Sequence, residues 1–198
     1  MCGRFYISED GDITPWIEEA NRKQLSLTGE MNVHAGEILP TSTVAAAARG
    51  RNRERDIFPM TWGYRSENHP KIMINARSET AAEKPVFRDS LKERRCLIPA
   101  DHYFEWEHTA DRRKVKYAIR PEAGGIFWLA GLYRFQPDMI LPQCIILTCE
   151  PSEEIRFIHN RMPLIFSEEE AFQWLRTDID PERLIRENQK KMQYRIAE

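Results

Sequence analysis

A cysteine stands at position 2, directly behind Met1. Removal of Met1, expected because the cysteine side chain is small, turns this residue into a 1,2-aminothiol, with a sulfur nucleophile and an α-amine on adjacent carbons. Against an aldehyde, the amine forms an imine and the sulfur closes on it to give a five-membered thiazolidine. An α-amine titrates at about 7.7–8.0, so roughly a tenth to a fifth of it is neutral at about pH 7. The thiol is open to activation by a nearby cation, and Arg4 lies two residues on.

Three further segments carry side chains able to do chemistry. INARSET (74–80) offers Asn75, a carboxamide suited to holding a sugar hydroxyl or the terminal amine, and Arg77, a fork that fits phosphate. Taken alone, the same two residues also read as a turn residue and a surface charge. In DHYFEWEH (101–108), strand alternation places Tyr103, Glu105 and Glu107 on one face and Phe104 and Trp106 on the other. Glu105 is then either a solvated carboxylate or a proton shuttle whose pKa is raised in an apolar cleft. FIHNRMPLIF (157–166) supplies His159, which exchanges protons near neutrality, and Arg161, a second phosphate fork leading into a buried strand.

These residues need elements to position them. Thr14-Pro15 opens a helix to about Lys23, with Trp16, Ile17 and Ala20 inward. A short helix is expected over 151–157. Ser167 and Glu170 form a capping box, and Asp180-Pro181 starts a charged C-terminal helix over about 178–198. Strands dominate the middle: CGRFYI, STVAAAA, IFPMTW, RCLIP, YFEW, VKYAI, IFWLAGLYRF and QCIILTC, then MPLIF, with polar loops at 48–56 and 107–114. The pattern predicts one α+β domain over 1–198 with a strongly curved, barrel-like and largely antiparallel sheet flanked by short helices, and leaves open whether that sheet closes.

Composition narrows the function classes. With 41% hydrophobic residues in 198, the chain has enough apolar material for one core. A net charge of -2 gives no global signal for nucleic acid, which would have to meet a local basic patch. No apolar run approaches the roughly 20 residues of a membrane span, and the N-terminus lacks a signal-peptide pattern, so a cytoplasmic address is expected. Cys96, Cys144 and Cys149 read as buried small hydrophobes. No C-x-x-C pair exists, and Cys144 and Cys149 fall on opposite faces of one strand, so neither a metal nor an organic cofactor is expected.

Taken in order, MCGRF, INARSET, RCLIPA-x3-FEW and H-x-RMPLI resemble the SRAP (SOS-response-associated peptidase) family, from Cys2 to about Leu175. The resemblance implies a sensor of abasic sites in single-stranded DNA, acting as a monomer, that crosslinks to the lesion and associates with the nucleoid when bound. It implies that Cys2 joins the ring-opened deoxyribose through a thiazolidine and that Asn75 positions the terminal amine and the opened sugar. Glu105 matches the proton-transfer residue of ring opening and crosslink reversal, and His159 the histidine that assists Schiff-base formation. Arg4, Arg77 and Arg161 match the residues on the flanking phosphates.

The chain departs from the family pattern in three places. Trp62-Gly63-Tyr64-Arg65-Ser66 lacks a second tryptophan, so base stacking is expected to fall to Trp62 or Tyr64. Gly36 to Thr41 resembles a variant of a commoner Y-N-x-A-P-T segment, and Asn160 replaces a carboxylate beside His159. The chain ends soon after its last expected helix, so no partner-recruiting tail is expected. Two other readings use the same residues. One is an N-terminal-nucleophile cysteine peptidase built on Cys2, Glu105 and His159; the other is a non-catalytic nucleic-acid-binding module.

Overall fold

The structure, a computed structural model, describes residues 2–9, 12–50, 52, 54–66, 69–109 and 111–197, with backbone alone at 66, 69 and 70. Five long apolar strands form its centre: β3 (Thr43–Arg49), β4 (Arg55–Trp62), β8 (Arg95–Ala100), β11 (Phe127–Arg134) and β12 (Gln143–Cys149). Their pairing returns on itself in the order β12-β4-β3-β8-β11-β12, so the curved sheet closes into a barrel. The expected α+β class holds, with one refinement. The β4–β12 ladder that completes the ring is parallel, as is that of β12 with the short strand β7 (Asn75–Arg77).

A second sheet packs beside the barrel in the order β15-β10-β9-β1-β2. It comprises β1 (Phe5–Ile7), β2 (Gly36–Ile38), β9 (His102–His108), β10 (Lys114–Pro121) and β15 (Met192–Ile196). Four small strands finish the set: β5 (Tyr64–Ser66) and β6 (His69–Met73) pair with each other, while β13 (Met162–Pro163) and β14 (Ile165–Phe166) add to the barrel edges. The helices are α1 (Thr14–Thr28), α2 (Pro85–Glu93), α3 (Glu168–Leu175) and α4 (Pro181–Glu187). Among the described residues, no helix is long and apolar enough to cross a membrane.

Small side chains let the layers approach. In β3, Ala45 packs with Ala20 and Val33 under α1, while Ala46, Ala47 and Ala48 join the central core. Gly131 lies where β11 is squeezed between its neighbours, and a Cβ there would stand 2.8 Å from the Cys96 sulfur and 2.8 Å from the Ile145 carbonyl. Cys96 and Cys144 are fully buried, as expected, whereas Cys149 is only half-buried.

The Ser167–Glu170 capping box forms in both directions. Thr14 is the first helical residue and not a cap; its hydroxyl donates to the Glu9 carbonyl at 3.3 Å. The helix runs past Lys23 because Gln24, fully buried, exchanges hydrogen bonds with Asn32 on the returning chain (2.7 and 3.2 Å). Over 151–157 only a single 3-10 turn, Glu153–Ile155, forms. The C-terminal helix expected over about 178–198 is confined to Pro181–Glu187, and Met192–Ile196 instead pairs with β10. The cue is in MQYRI, where Met192, Tyr194 and Ile196 alternate with polar residues at the strand period of two.

Arg95 fastens the helices to the barrel. Only 4% exposed, its guanidinium donates to the carbonyls of Leu91 (2.8 Å), Lys92 (3.3 Å), Trp174 (2.6 Å), Ile179 (3.5 Å) and Arg176. These carbonyls come from the C-terminal ends of α2 and α3 and the chain beyond, where the partial negative charge of the helix dipole collects. Burial holds the guanidinium pKa down to about 10, still charged at neutrality. Arg95→Met keeps the stem but strands several buried acceptors, and should lower stability by about 3 kcal/mol or more. Denaturant unfolding checks this, and a loss within about 0.5 kcal/mol, typical of a surface site, would contradict it.

Candidate active site

Cys2 belongs to the core. It is 0% exposed, three residues ahead of β1, and its segment runs along β9, where the Phe104 N–H donates to the Arg4 carbonyl at 2.9 Å. Two contacts hold the cysteine. Its carbonyl accepts from Asn75 Nδ2 at 2.9 Å, and its thiol lies 3.7 Å from the Arg4 carbonyl. Asn75 reaches it because β7 runs parallel to β12, with Asn75 opposite Ile146 and Arg77 opposite Thr148. The Asn75 Oδ1 is buried and has no hydrogen-bond partner among the described residues. Met1 lies outside the described residues.

Glu105 is 5% exposed, which overturns the solvated outer-face alternative. It sits on the inward face of β9 between Tyr103 and Glu107, as the alternation predicts. Burial pushes the Cys2 thiol far above its ordinary range, and the Glu105 carboxylate pushes it further. The lowering expected from the Arg4 cation is therefore not met: Arg4 opposes the rise only through its backbone carbonyl, and burial outweighs it. The Arg4 guanidinium is spent on Glu37 (2.7 Å) and on the face of Trp106 (5.3 Å), leaving desolvation to dominate.

Tyr103 is fully buried on the same face of β9 as Glu105. Burial raises its phenol pKa, and the nearby Cys2, Glu105 and Cys149 add to the effect. Cys149, at the end of β12, is pushed up to about 12 by burial, against the opposing pull of Arg161. Arg161 itself donates to both oxygens of Glu79 at 2.8 Å and to the Thr148 carbonyl at 2.5 Å. Its backbone N–H donates to His159 Nδ1 at 3.0 Å, and the same ring nitrogen lies 3.3 Å from the Arg161 carbonyl. Arg77 is exposed, one turn of chain from Glu79.

The structure thus places Cys2, Asn75 and Glu105 in one cluster and groups Arg77, His159 and Arg161 at the Thr148 end of the neighbouring β7–β12 ladder. Trp62 does not belong to its surface. Its ring is 0% exposed, packed 5.2 Å from Phe5, with the indole N–H donated to the Ile74 carbonyl. Tyr64 is equally buried, under the Arg134 guanidinium at 4.2 Å. Glu79, Tyr103 and Thr148 are additions. Glu79 lies inside INARSET, and a carboxylate two residues from Arg77 was the available signal; Thr148 had none. Among the described residues, no group of three His, Cys, Asp or Glu side chains is placed to hold a metal ion.

The chain belongs to the SOS response associated peptidase (SRAP) family, which matches residues 1–197. It is 34% identical over 194 residues to the abasic site processing protein YobE of Bacillus subtilis, covering 93% of this chain and 86% of that protein. It is also 30% identical over 182 residues to the abasic site processing protein YedK of Escherichia coli, covering 90% and 81% respectively. A crystal structure of a Bacteroides thetaiotaomicron protein shares the fold, with a TM-score of 0.77 at 21% identity over 100% of this chain and 92% of that one.

Because the Glu105 carboxylate raises the Cys2 thiol pKa, replacing it by a neutral isostere removes that contribution. Glu105→Gln should move the pH profile of Cys2 alkylation to lower pH, followed by peptide mass spectrometry with Cys149 as the internal reference. An unchanged or upward-shifted profile would show that the two side chains are not electrostatically coupled.

Proposed function

We propose that this chain processes abasic sites in DNA by joining the ring-opened sugar covalently to Cys2 after Met1 is removed. The observation that carries the reading is the buried cysteine beside Glu105, its carbonyl held by Asn75, in a chain related to proteins named for abasic site processing. An opened abasic deoxyribose presents an aldehyde. The Cys2 amine adds to that carbon, and loss of one water gives the imine. The sulfur then adds to the same carbon while its proton passes to nitrogen, completing a thiazolidine with one water released overall.

Each neighbouring group has a task in this lyase-like scheme. Glu105 carries protons during ring opening and dehydration. Asn75, with its amide N–H on the Cys2 carbonyl, has an Oδ1 suited to accept from the amine. His159 assists imine formation at the sugar. Arg77 is exposed to a flanking phosphate, and Arg4 and Arg161 reach phosphate by exchanging Glu37 and Glu79 for it. A single strand is the fitting substrate, because the sugar must enter a site whose sulfur is covered, and base pairing and stacking oppose that movement. All these groups come from one chain, so a monomer suffices, and the scheme uses no metal or organic cofactor.

Intact-mass measurement after incubation with a single-stranded oligonucleotide bearing one abasic site tests the reading. Met1-free protein should gain the mass of the DNA less one water, in an adduct that survives denaturation. Cys2→Ala and a form retaining Met1 should give none. Absence of the adduct from Met1-free wild type would refute the proposal, and Cys2-dependent turnover of a peptide or ester in its place would favour the peptidase reading.

A further inference from the structure

With Trp62 and Tyr64 in the core, the aromatic surface of this chain lies elsewhere. Three rings gather at the rim of the site: Tyr117 on β10, Phe157 two residues before His159, and Tyr194 on β15. Their centroids are 5.8 Å (Tyr117–Phe157), 5.6 Å (Tyr117–Tyr194) and 5.2 Å (Phe157–Tyr194) apart, at interplanar angles of 88°, 82° and 69°. Tyr117 is the floor, 8% exposed, with its hydroxyl donated to Glu107 at 2.9 Å. Phe157 and Tyr194 stand above it, 50% and 46% exposed.

Register fixes which way the cluster faces. Tyr117 pairs directly with Glu105, so both project from the same face of the sheet. Tyr194 pairs with Ile119, two residues along β10, and shares that face. Phe157 arrives from the segment that carries His159. The rings therefore span the two walls that supply Glu105 and His159.

We infer that Phe157 and Tyr194, backed by Tyr117, form a stacking platform for an unpaired nucleobase next to the lesion. This rests on the reading of the chain as an abasic-site protein. An abasic site has no base to grip, so recognition through stacking has to take hold of a neighbour. Aromatic faces do so without regard to base identity, because every base has a π-face. Contiguous exposed apolar surface marks an interaction site, and the ring beneath this patch, Tyr117, pairs in register with Glu105. Pinning β15 to the 153–157 segment would need only apolar contact, which leucine also provides.

Equilibrium binding of the full chain to single-stranded oligonucleotides with a non-reactive tetrahydrofuran at the lesion tests the platform. The flanking base is left intact or removed by a second tetrahydrofuran, on the 5′ and the 3′ side in turn. Wild type should bind about 5- to 100-fold more weakly when the base on one side is missing. Phe157→Leu/Tyr194→Leu should lose that preference, binding both oligonucleotides at the weaker level with an unchanged thermal transition, and Tyr194→Phe should keep it. No flanking-base preference in wild type, or the same preference in the double variant, overturns the platform. Equal weakening on both oligonucleotides means a structural role and also overturns it. Concentration-dependent dimerisation abolished by the double variant, with base preference intact, assigns the patch to a second copy instead. Adduct formation measured in parallel keeps the readings apart: an adduct without base preference refutes the platform alone, and base preference without an adduct refutes the Cys2 chemistry alone.

Discussion

Burying a cysteine at the second position of the chain is the constraint around which the molecule is arranged. Chain ends fray unless something ties them down. Here the tie is one hydrogen bond from Asn75 to the Cys2 carbonyl, backed by the run of residues 2–4 along β9. Asn75 is in place only because β7 lies parallel to β12, and Glu105 only because β9 pairs with β1. Closure of the barrel through β12 therefore comes before the site. The strand that completes the ring also sets the register of β7 on one side and of β13, which leads from His159 and Arg161, on the other.

The burial that orders this cysteine also restrains it. A thiol in a dry pocket beside a carboxylate is a poor thiolate, which protects it from indiscriminate alkylation and oxidation. On the proposed chemistry, the sulfur has to lose its proton within the reaction itself, to an acceptor at hand. The arginines are restrained in the same manner. Arg4 and Arg161 rest on Glu37 and Glu79, so neither guanidinium presents an empty fork.

Much of this was legible in the sequence, for identifiable reasons. Long apolar runs and the Ser167–Glu170 box act locally, and both formed as read. Asn75, Glu105, His159 and Arg161 stood out in sequence only as polar side chains of ambiguous meaning, and it was the ordered set of motifs shared with a family that singled them out. What resisted reading was context. Whether Glu105 faced water or Cys2 depended on which side of β9 the barrel lay. Trp62 has the chemistry of a stacking residue, yet its indole N–H found the Ile74 carbonyl inside the core. The last strand was misread because DPERLIRE, a good helical start, precedes the two-residue alternation of MQYRI. The aromatic cluster was invisible for a related reason, since its three rings come from segments far apart in the chain.

Arg95 has a consequence for acid. Its charge is balanced by backbone carbonyls, which do not titrate, so the clamp on α2 and α3 is indifferent to falling pH. The C-terminal segment is secured differently, by Lys190 bonded to both oxygens of Glu170 at 2.7 Å. Burial alone would raise the Glu170 carboxyl, but Lys190 and Ser167 outweigh it and hold the pKa below its ordinary value. Stability from such a group is present above its unfolded pKa and is lost as pH falls through the folded one. Acid should therefore loosen the fastening ahead of β15 while the barrel and its helices stay joined, so that the molecule comes apart from its tail inward.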